Sequence, residues 1–270
     1  MVSGILGAIL KMNSSSAGGE LPIPPSPTTD IILLAGQSNM DGRNFLFELP
    51  IGFEYLNSQV TNVAIYDWKN GTNNWQVFTP GLNLQSYSGL QAFGPELSLA
   101  HNLNNPAYFL KYAYGGSVLA ESGYGSKGTW NANITNSHYA QLKEYYTSAK
   151  QDLLSQGKVG INVKAFVWLQ GESDAENQVF ADAYETNLLA LINALKTFTG
   201  DDFYTIILRI KYPEAIYRNT VRAAQDNIPN TISNTSVIDT DASELQDYVH
   251  YSEQGNIDNG EAIATIINGL

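Results

Sequence analysis

Residues 31–40 read Ile-Ile-Leu-Leu-Ala-Gly-Gln-Ser-Asn-Met. Four large aliphatics and an alanine run directly into Gly36-Gln37-Ser38-Asn39, so a buried strand ends in a tight turn that presents one hydroxyl, that of Ser38. In open α/β sheets, ligands bind just beyond the carboxyl ends of the strands. A serine displayed there is a nucleophile candidate if the rest of the chain supplies a base and an oxyanion hole.

Outward from this decapeptide, apolar runs bounded by turn residues recur at Ala107–Tyr112, Val163–Leu169, Tyr204–Ile210 and Ser236–Asp239. Helical patterns lie between and after them, at Pro95–Leu103, His138–Gln156, Phe180–Phe198, Pro213–Asn227 and Asn256–Leu270. Continuous apolar strands alternating with helices mean a parallel sheet covered on both faces. The expected fold class is therefore α/β, a three-layer αβα sandwich. Its five-stranded parallel sheet takes the flavodoxin-like order 2-1-3-4-5 with Ile31–Ala35 central. Asn62–Trp68 reads as an extra short strand in the long excursion after the first strand.

Residues 1–29 read differently. Asn13–Gly19 is rich in Ser and Gly, and Pro22, Pro24, Pro25 and Pro27 follow, a composition that favours extended spacers. Val2–Leu10 has the length of a signal-peptide core, yet no Lys or Arg precedes it and Lys11 lies on the wrong side. The expectation is a tail and linker at 1–29, able to tether a single domain, 30–270, to a larger assembly.

Composition narrows the partners. The 270-residue chain has 26 acidic and 14 basic residues, a net charge of −12, which argues against a nucleic-acid partner. It has no cysteine, which removes disulfides, thiolate catalysis and cysteine-type zinc sites together. No apolar run reaches the roughly 18 residues of a membrane span.

Only three histidines occur: His101, His138 and His250. The first falls within a helix pattern and the second at a helix start, where packing roles are the simpler reading. His250 follows the last strand in Asp247-Tyr248-Val249-His250. A carboxylate three residues before a histidine can turn back to accept the ring Nδ1–H, fixing the tautomer in which Nε2 takes a serine proton. Gly115-Gly116 follows the second strand, where glycines let a backbone amide approach a substrate. Gln170, in Trp168-Leu169-Gln170-Gly171-Glu172-Ser173-Asp174, offers an uncharged amide at the end of the third strand.

Taken together these blocks resemble the SGNH hydrolases, and within them the branch of sialate O-acetylesterases and acetylxylan-type carbohydrate esterases. The resemblance rests on Gly36-Gln37-Ser38-Asn39-Met40-Asp41-Gly42-Arg43, Phe93-Gly94-Pro95-Glu96, Gly115-Gly116-Ser117, Trp168–Asp174 and Asp247–His250, in that order, and covers roughly residues 30–270. It implies a catalytic triad of Ser38 as nucleophile, His250 as general base and then acid, and Asp247 as orienter. It also implies oxyanion donation by the amides of Ser38 and Gly115 and the side chain of Gln170, with Gly116 the alternative to Gly115. Glu172 and Arg43 are expected to shape the site. The wider superfamily has asparagine where this chain has Gln170.

The implied activity is a serine carbohydrate esterase that removes O-acetyl groups from a glycan, without cofactor or metal. Asp239, Asp241 and Ser243 are spaced like a calcium loop, but Glu244 stands where that loop needs glycine. Met40 stands where the Gly-x-Ser-x-Gly elbow of the α/β-hydrolases needs its second glycine. The alternatives are a short-chain lipase or thioesterase on the same fold, or a glycan-binding component of a cell-surface or virion assembly. An extracellular or surface-associated setting is favoured over the cytoplasm. Trp68, Trp75, Tyr124 and Trp130, among hydrogen-bonding residues in the long loops, suit either sugar stacking or small local cores.

Overall fold

A computed structural model describes residues 28–121 and 127–270. The expected tail and linker, apart from residues 28 and 29, and Tyr124 lie outside the described residues.

Nine strands and six α-helices follow one another along the described chain. They are β1 (Thr29–Gly36), α1 (Ser38–Asp41), β2 (Asn44–Phe45), β3 (Val60–Asp67), β4 (Asn74–Phe78), β5 (Ala92–Phe93) and α2 (Glu96–Asn102). Then come β6 (Ala107–Ala113), α3 (His138–Ser155), β7 (Ile161–Leu169), α4 (Gln178–Thr199), β8 (Tyr204–Arg209), α5 (Arg218–Thr231), β9 (Thr235–Asp239) and α6 (Glu253–Asn268). The main sheet has seven strands in the order β4-β3-β6-β1-β7-β8-β9, and β2 and β5 form a separate two-stranded ribbon. All neighbours in the main sheet are parallel except β3 and β4.

The five expected strands therefore keep the expected order, but the count of five is corrected to seven. The Asn62–Trp68 run, up to Asp67, belongs to β3, eight residues long, which pairs with β6 through Val63, Ala64 and Ile65. The main-sheet strand missed in the sequence, β4, closes that edge as an antiparallel hairpin partner. Its composition, Asn-Trp-Gln-Val-Phe, lacks a continuous apolar signal because only Trp75 and Phe78 are buried.

The period of two in β1 feeds two separate cores. Ile31, Leu33 and Ala35 face the layer of α3, α4 and α5, packing with Leu142, Tyr146, Tyr184, Leu188 and Val221. Ile32 and Leu34 face α2 and α6, packing with Leu97, Leu99, Ile257 and Ile263. A strand buried on both faces needs apolar residues at every position, which is why this run carries no polar residue. Helix starts follow their caps: the side chains of Ser137, Asn177 and Ser252 accept the amides of Ala140, Phe180 and Gly255. The expected helix at Pro213–Asn227 begins only at Arg218, and residues 210–217 form a connection that reaches the carboxyl edge of the sheet. Among the described residues no helix is long and apolar enough to cross a membrane.

Candidate active site

The turn after β1 is possible because residue 36 is glycine. Its φ is +154° and a Cβ there would collide with the Leu169 carbonyl of β7, whose oxygen accepts the Gln37 amide at 3.0 Å. This close approach tips Ser38 into the first position of α1, at the carboxyl edge between β6 and β7. The rest of the block is anchored from behind. Lys111, fully buried on β6, pairs with Glu96 at 2.7 Å and donates to the carbonyls of Asp41 (2.9 Å) and Leu84 (3.1 Å). The Gly94 amide donates to the same Glu96 carboxylate, so the Phe93–Glu96 block supports the serine turn through Lys111.

His250 meets Ser38 from the loop between β9 and α6. Its Nε2 lies 3.1 Å from Ser38 Oγ and its Nδ1 lies 2.8 Å from Asp247 Oδ2. The other oxygen of Asp247 accepts the amides of Val249 (2.8 Å) and His250 (2.6 Å). Partial burial of Asp247 works against its ionisation. The His250 amide, the imidazole and the Val249 amide outweigh it and hold the carboxyl below its ordinary range. A carboxylate so held is an acceptor for Nδ1–H, leaving Nε2 free to take a proton from Ser38.

Asn39 joins the two loops. Its Nδ2 donates to the Val249 carbonyl at 3.0 Å and its Oδ1 accepts the Tyr251 amide at 3.1 Å, so it grips the backbone on both sides of His250. The same Nδ2 donates to Glu172 Oε1 at 2.6 Å. Glu172 is buried, lines the cavity, and has no hydrogen-bond partner for Oε2 among the described residues. Burial raises its carboxyl above the ordinary value, against the stabilising bond from Asn39.

Gly115 comes directly against Ser38: a Cβ built on it would sit 3.5 Å from Ser38 Cβ and collide with the Arg43 guanidinium. Gly116 turns instead toward Lys127. Arg43 is held by Asp41 at 3.5 Å and by the Ser88 hydroxyl. Both glycines, Arg43 and Lys127 line a cavity of about 430 Å³ that also includes Ser38 and His250.

The structure does not bring the Gln170 amide into this cavity. Gln170 is fully buried, and its Nε2 donates to Asp174 Oδ2 (2.6 Å), the Ser117 carbonyl (3.1 Å) and Gln37 Oε1 (3.4 Å). Asp174 in turn accepts the amides of Leu119 and Ala120. Burial pushes the Asp174 carboxyl up to about 7 despite these donors. Gln170 and Asp174 thus pin residues 117–120, the segment that follows the two glycines.

His101 and His138 serve packing. His101 Nε2 contacts the Leu56 carbonyl at 2.9 Å, and His138 bridges the Tyr112 hydroxyl and the Lys127 carbonyl, each at 2.8 Å. The three tryptophans in the long loops prove to be core: Trp68, Trp75 and Trp130 are buried and donate to Lys111 O, Ala149 O and Ser117 Oγ. Three residues that do line the cavity carried no separate signal: Glu176, Tyr212 and Tyr248. Tyr248 could have been read, because it stands inside the Asp-x-x-His block. Tyr212 could not, since it stands between the strand run that ends at Ile210 and the helix pattern that starts at Pro213.

A mostly parallel doubly wound sheet, with a Ser-His-Asp run across its carboxyl edge, defines an SGNH-type hydrolase fold. The chain belongs to the carbohydrate esterase, sialic acid-specific acetylesterase family, whose sequence model matches residues 28–268. It is a carboxylic ester hydrolase of the carbohydrate acetylesterase kind. Among solved structures it is similar to a protein of Arabidopsis thaliana, with a TM-score of 0.70 at 20% identity over 90% of this chain and 99% of that one. NanS follows, with a TM-score of 0.63 at 15% identity over 90% and 98% of the two chains. XAC1771, a carbohydrate acetylesterase from Xanthomonas citri, aligns with a TM-score of 0.56 at 17% identity over 87% of this chain and 55% of that one. At these identities the structural likeness concerns the fold. No curated protein sequence matches the chain.

Proposed function

We propose that the chain removes O-acetyl groups from a glycan by a Ser-His-Asp mechanism. The observation that carries this reading is the continuous run Ser38 Oγ, His250 Nε2, His250 Nδ1, Asp247 Oδ2, with separations of 3.1 and 2.8 Å at its two hydrogen bonds. His250 takes the Ser38 proton as Oγ attacks the acetyl carbonyl, and the imidazolium is stabilised by Asp247. The carbonyl oxygen becomes an oxyanion, facing the amides of Ser38 and Gly115. Collapse breaks the bond to the sugar oxygen, which leaves with the proton from His250 Nε2. An acetyl–Ser38 ester remains. Water attacks it with His250 again as base, and acetate and free Ser38 are restored.

Gly115 is favoured over Gly116 as donor because it is the glycine packed against Ser38. Gln170 acts one layer further out, holding the segment after these glycines.

The test is acetate release from acetylated xylan, acetylated sialic acids and acetylated bacterial polysaccharides, with the Ser38→Ala protein as control. Release from at least one glycan, absent in the control, is expected. Equal release by the folded Ser38→Ala protein would sink the mechanism, and wild-type activity confined to octanoyl esters would sink the acetyl-glycan assignment.

A further inference from the structure

We infer that Tyr248, Tyr212 and Glu176 form the subsite that holds the leaving sugar, and that this sugar is a neutral, hydroxyl-rich pyranose. The inference rests on the proposed mechanism in one respect: the departing sugar oxygen must collect its proton from His250 Nε2. The sugar therefore sits on the side of the cavity that carries His250.

Three side chains from three connections meet there. Tyr248 comes from the His250 loop itself, lines the cavity and is 58% exposed. Its ring lies 5.9 Å from that of Tyr212, centroid to centroid, at an interplanar angle of 43°. Tyr212 arises from the connection after β8, and its ring is almost buried. Its hydroxyl donates to Glu176 Oε1 at 2.6 Å, fixing the direction of a carboxylate that stands exposed on the cavity wall. Burial, reinforced by the neighbouring Glu176, pushes the Tyr212 phenol up, so it remains a donor at any working pH.

A pyranose offers two kinds of surface, a C–H face and a rim of hydroxyl donors. An exposed aromatic ring supplies a flat apolar partner for the first. A fixed carboxylate accepts from the second, and charge-assisted bonds of this kind are stronger than neutral ones. An acyl chain would find no use for the Tyr212–Glu176 pair. A sugar carboxylate at this end would meet the Glu176 charge. The cations of the cavity, Arg43 and Lys127, form a separate group against Gly115 and Gly116.

The experiment compares kcat/KM for a mono-O-acetylated methyl glucoside with that for vinyl acetate, whose leaving group has no ring to stack. In Glu176→Gln the ratio of the two is expected to fall about tenfold, mostly through KM for the sugar ester, as for loss of one charge-assisted hydrogen bond. In Tyr248→Ala it is expected to fall about fivefold. An acetylated methyl glucuronoside should be a poorer substrate than the glucoside, and Glu176→Gln should narrow the gap. Unchanged ratios in both variants overturn the subsite, and a glucuronoside preferred over the glucoside overturns its neutral character. Wild type that hydrolyses vinyl acetate but not the acetyl glucoside overturns the subsite while leaving the ester chemistry standing. Vinyl acetate hydrolysis that survives Ser38→Ala would instead break the mechanism, and the ratios would still report on the subsite.

Discussion

The two loops that bring Ser38 and His250 together are built in opposite ways. The Ser38 turn is buried and held from behind, by the Leu169 carbonyl, by Lys111 with Glu96, and by the Tyr87 amide on Asp41 at 2.7 Å. The His250 loop is half exposed and holds itself, through three bonds from its own Val249 and His250 to Asp247. Asn39 is the side chain that ties the second loop to the first. Ser38 thus draws its position from the whole sheet, whereas His250 draws its orientation from a four-residue turn and its location from the Asn39 amide together with Asn44, which donates to the Tyr251 carbonyl and to Gln246.

Four substitutions break or sharpen this contrast. Ser38→Ala should lower kcat for an acetyl ester about 10⁶-fold with little effect on the melting temperature, since it removes the reacting atom and leaves the buried frame intact. Asp247→Asn should lower kcat about 10⁴-fold. The amide would keep its bonds from the local backbone but present N–H to Nδ1, so the imidazole adopts the wrong tautomer. Full activity in that variant, measured over pH 6–9, would show that the loop alone does not orient His250.

Asn39→Ala tests the tie between the loops. About a 100-fold loss of kcat is expected, because an error of about 1 Å in the base is that costly. Unlike Ser38→Ala, it should also lower stability by about 2 kcal/mol, as the Val249 carbonyl, the Tyr251 amide and Glu172 all lose their partner. Unchanged kcat alongside that stability loss would reduce Asn39 to a packing residue.

The smallest effect concerns Glu172. Because its folded carboxyl is raised by burial, the folded chain keeps this proton to higher pH than the unfolded chain does. Its contribution to stability is full below the ordinary carboxylate range and is lost as pH rises through the raised value. Glu172→Gln should therefore raise the melting temperature near neutral pH by about 3 °C, with the gain vanishing near pH 3–4. A gain that persists in acid, followed by calorimetry, would point to packing in place of ionisation.

Much of the candidate site was legible because its residues are local in sequence. Gly36 through Asn39 must turn where they do, and Asp247 and His250 are close enough along the chain to bond without outside help. The strand order followed from the same logic, since an apolar run between helices has few places to go. β4 escaped because a half-buried hairpin strand buries only Trp75 and Phe78, and Tyr212 because it stands between a strand run and a helix pattern. Gln170 shows the limit most clearly. Its place after β7 suggested an amide at the substrate, but Asp174 and the Ser117 carbonyl capture that amide inside the wall.

By itself, then, the sequence determined the fold class, the family and the three side chains that run from serine to carboxylate. These depend on local turns and on the burial pattern of single strands, both written in consecutive residues. Only the tertiary structure decided which distant groups share the cavity: Glu172 under Asn39, Arg43 against Gly115, and Tyr212 with Glu176 beside Tyr248. Those contacts join residues far apart in the chain, and side-chain direction across such gaps is set by packing, which no local pattern encodes.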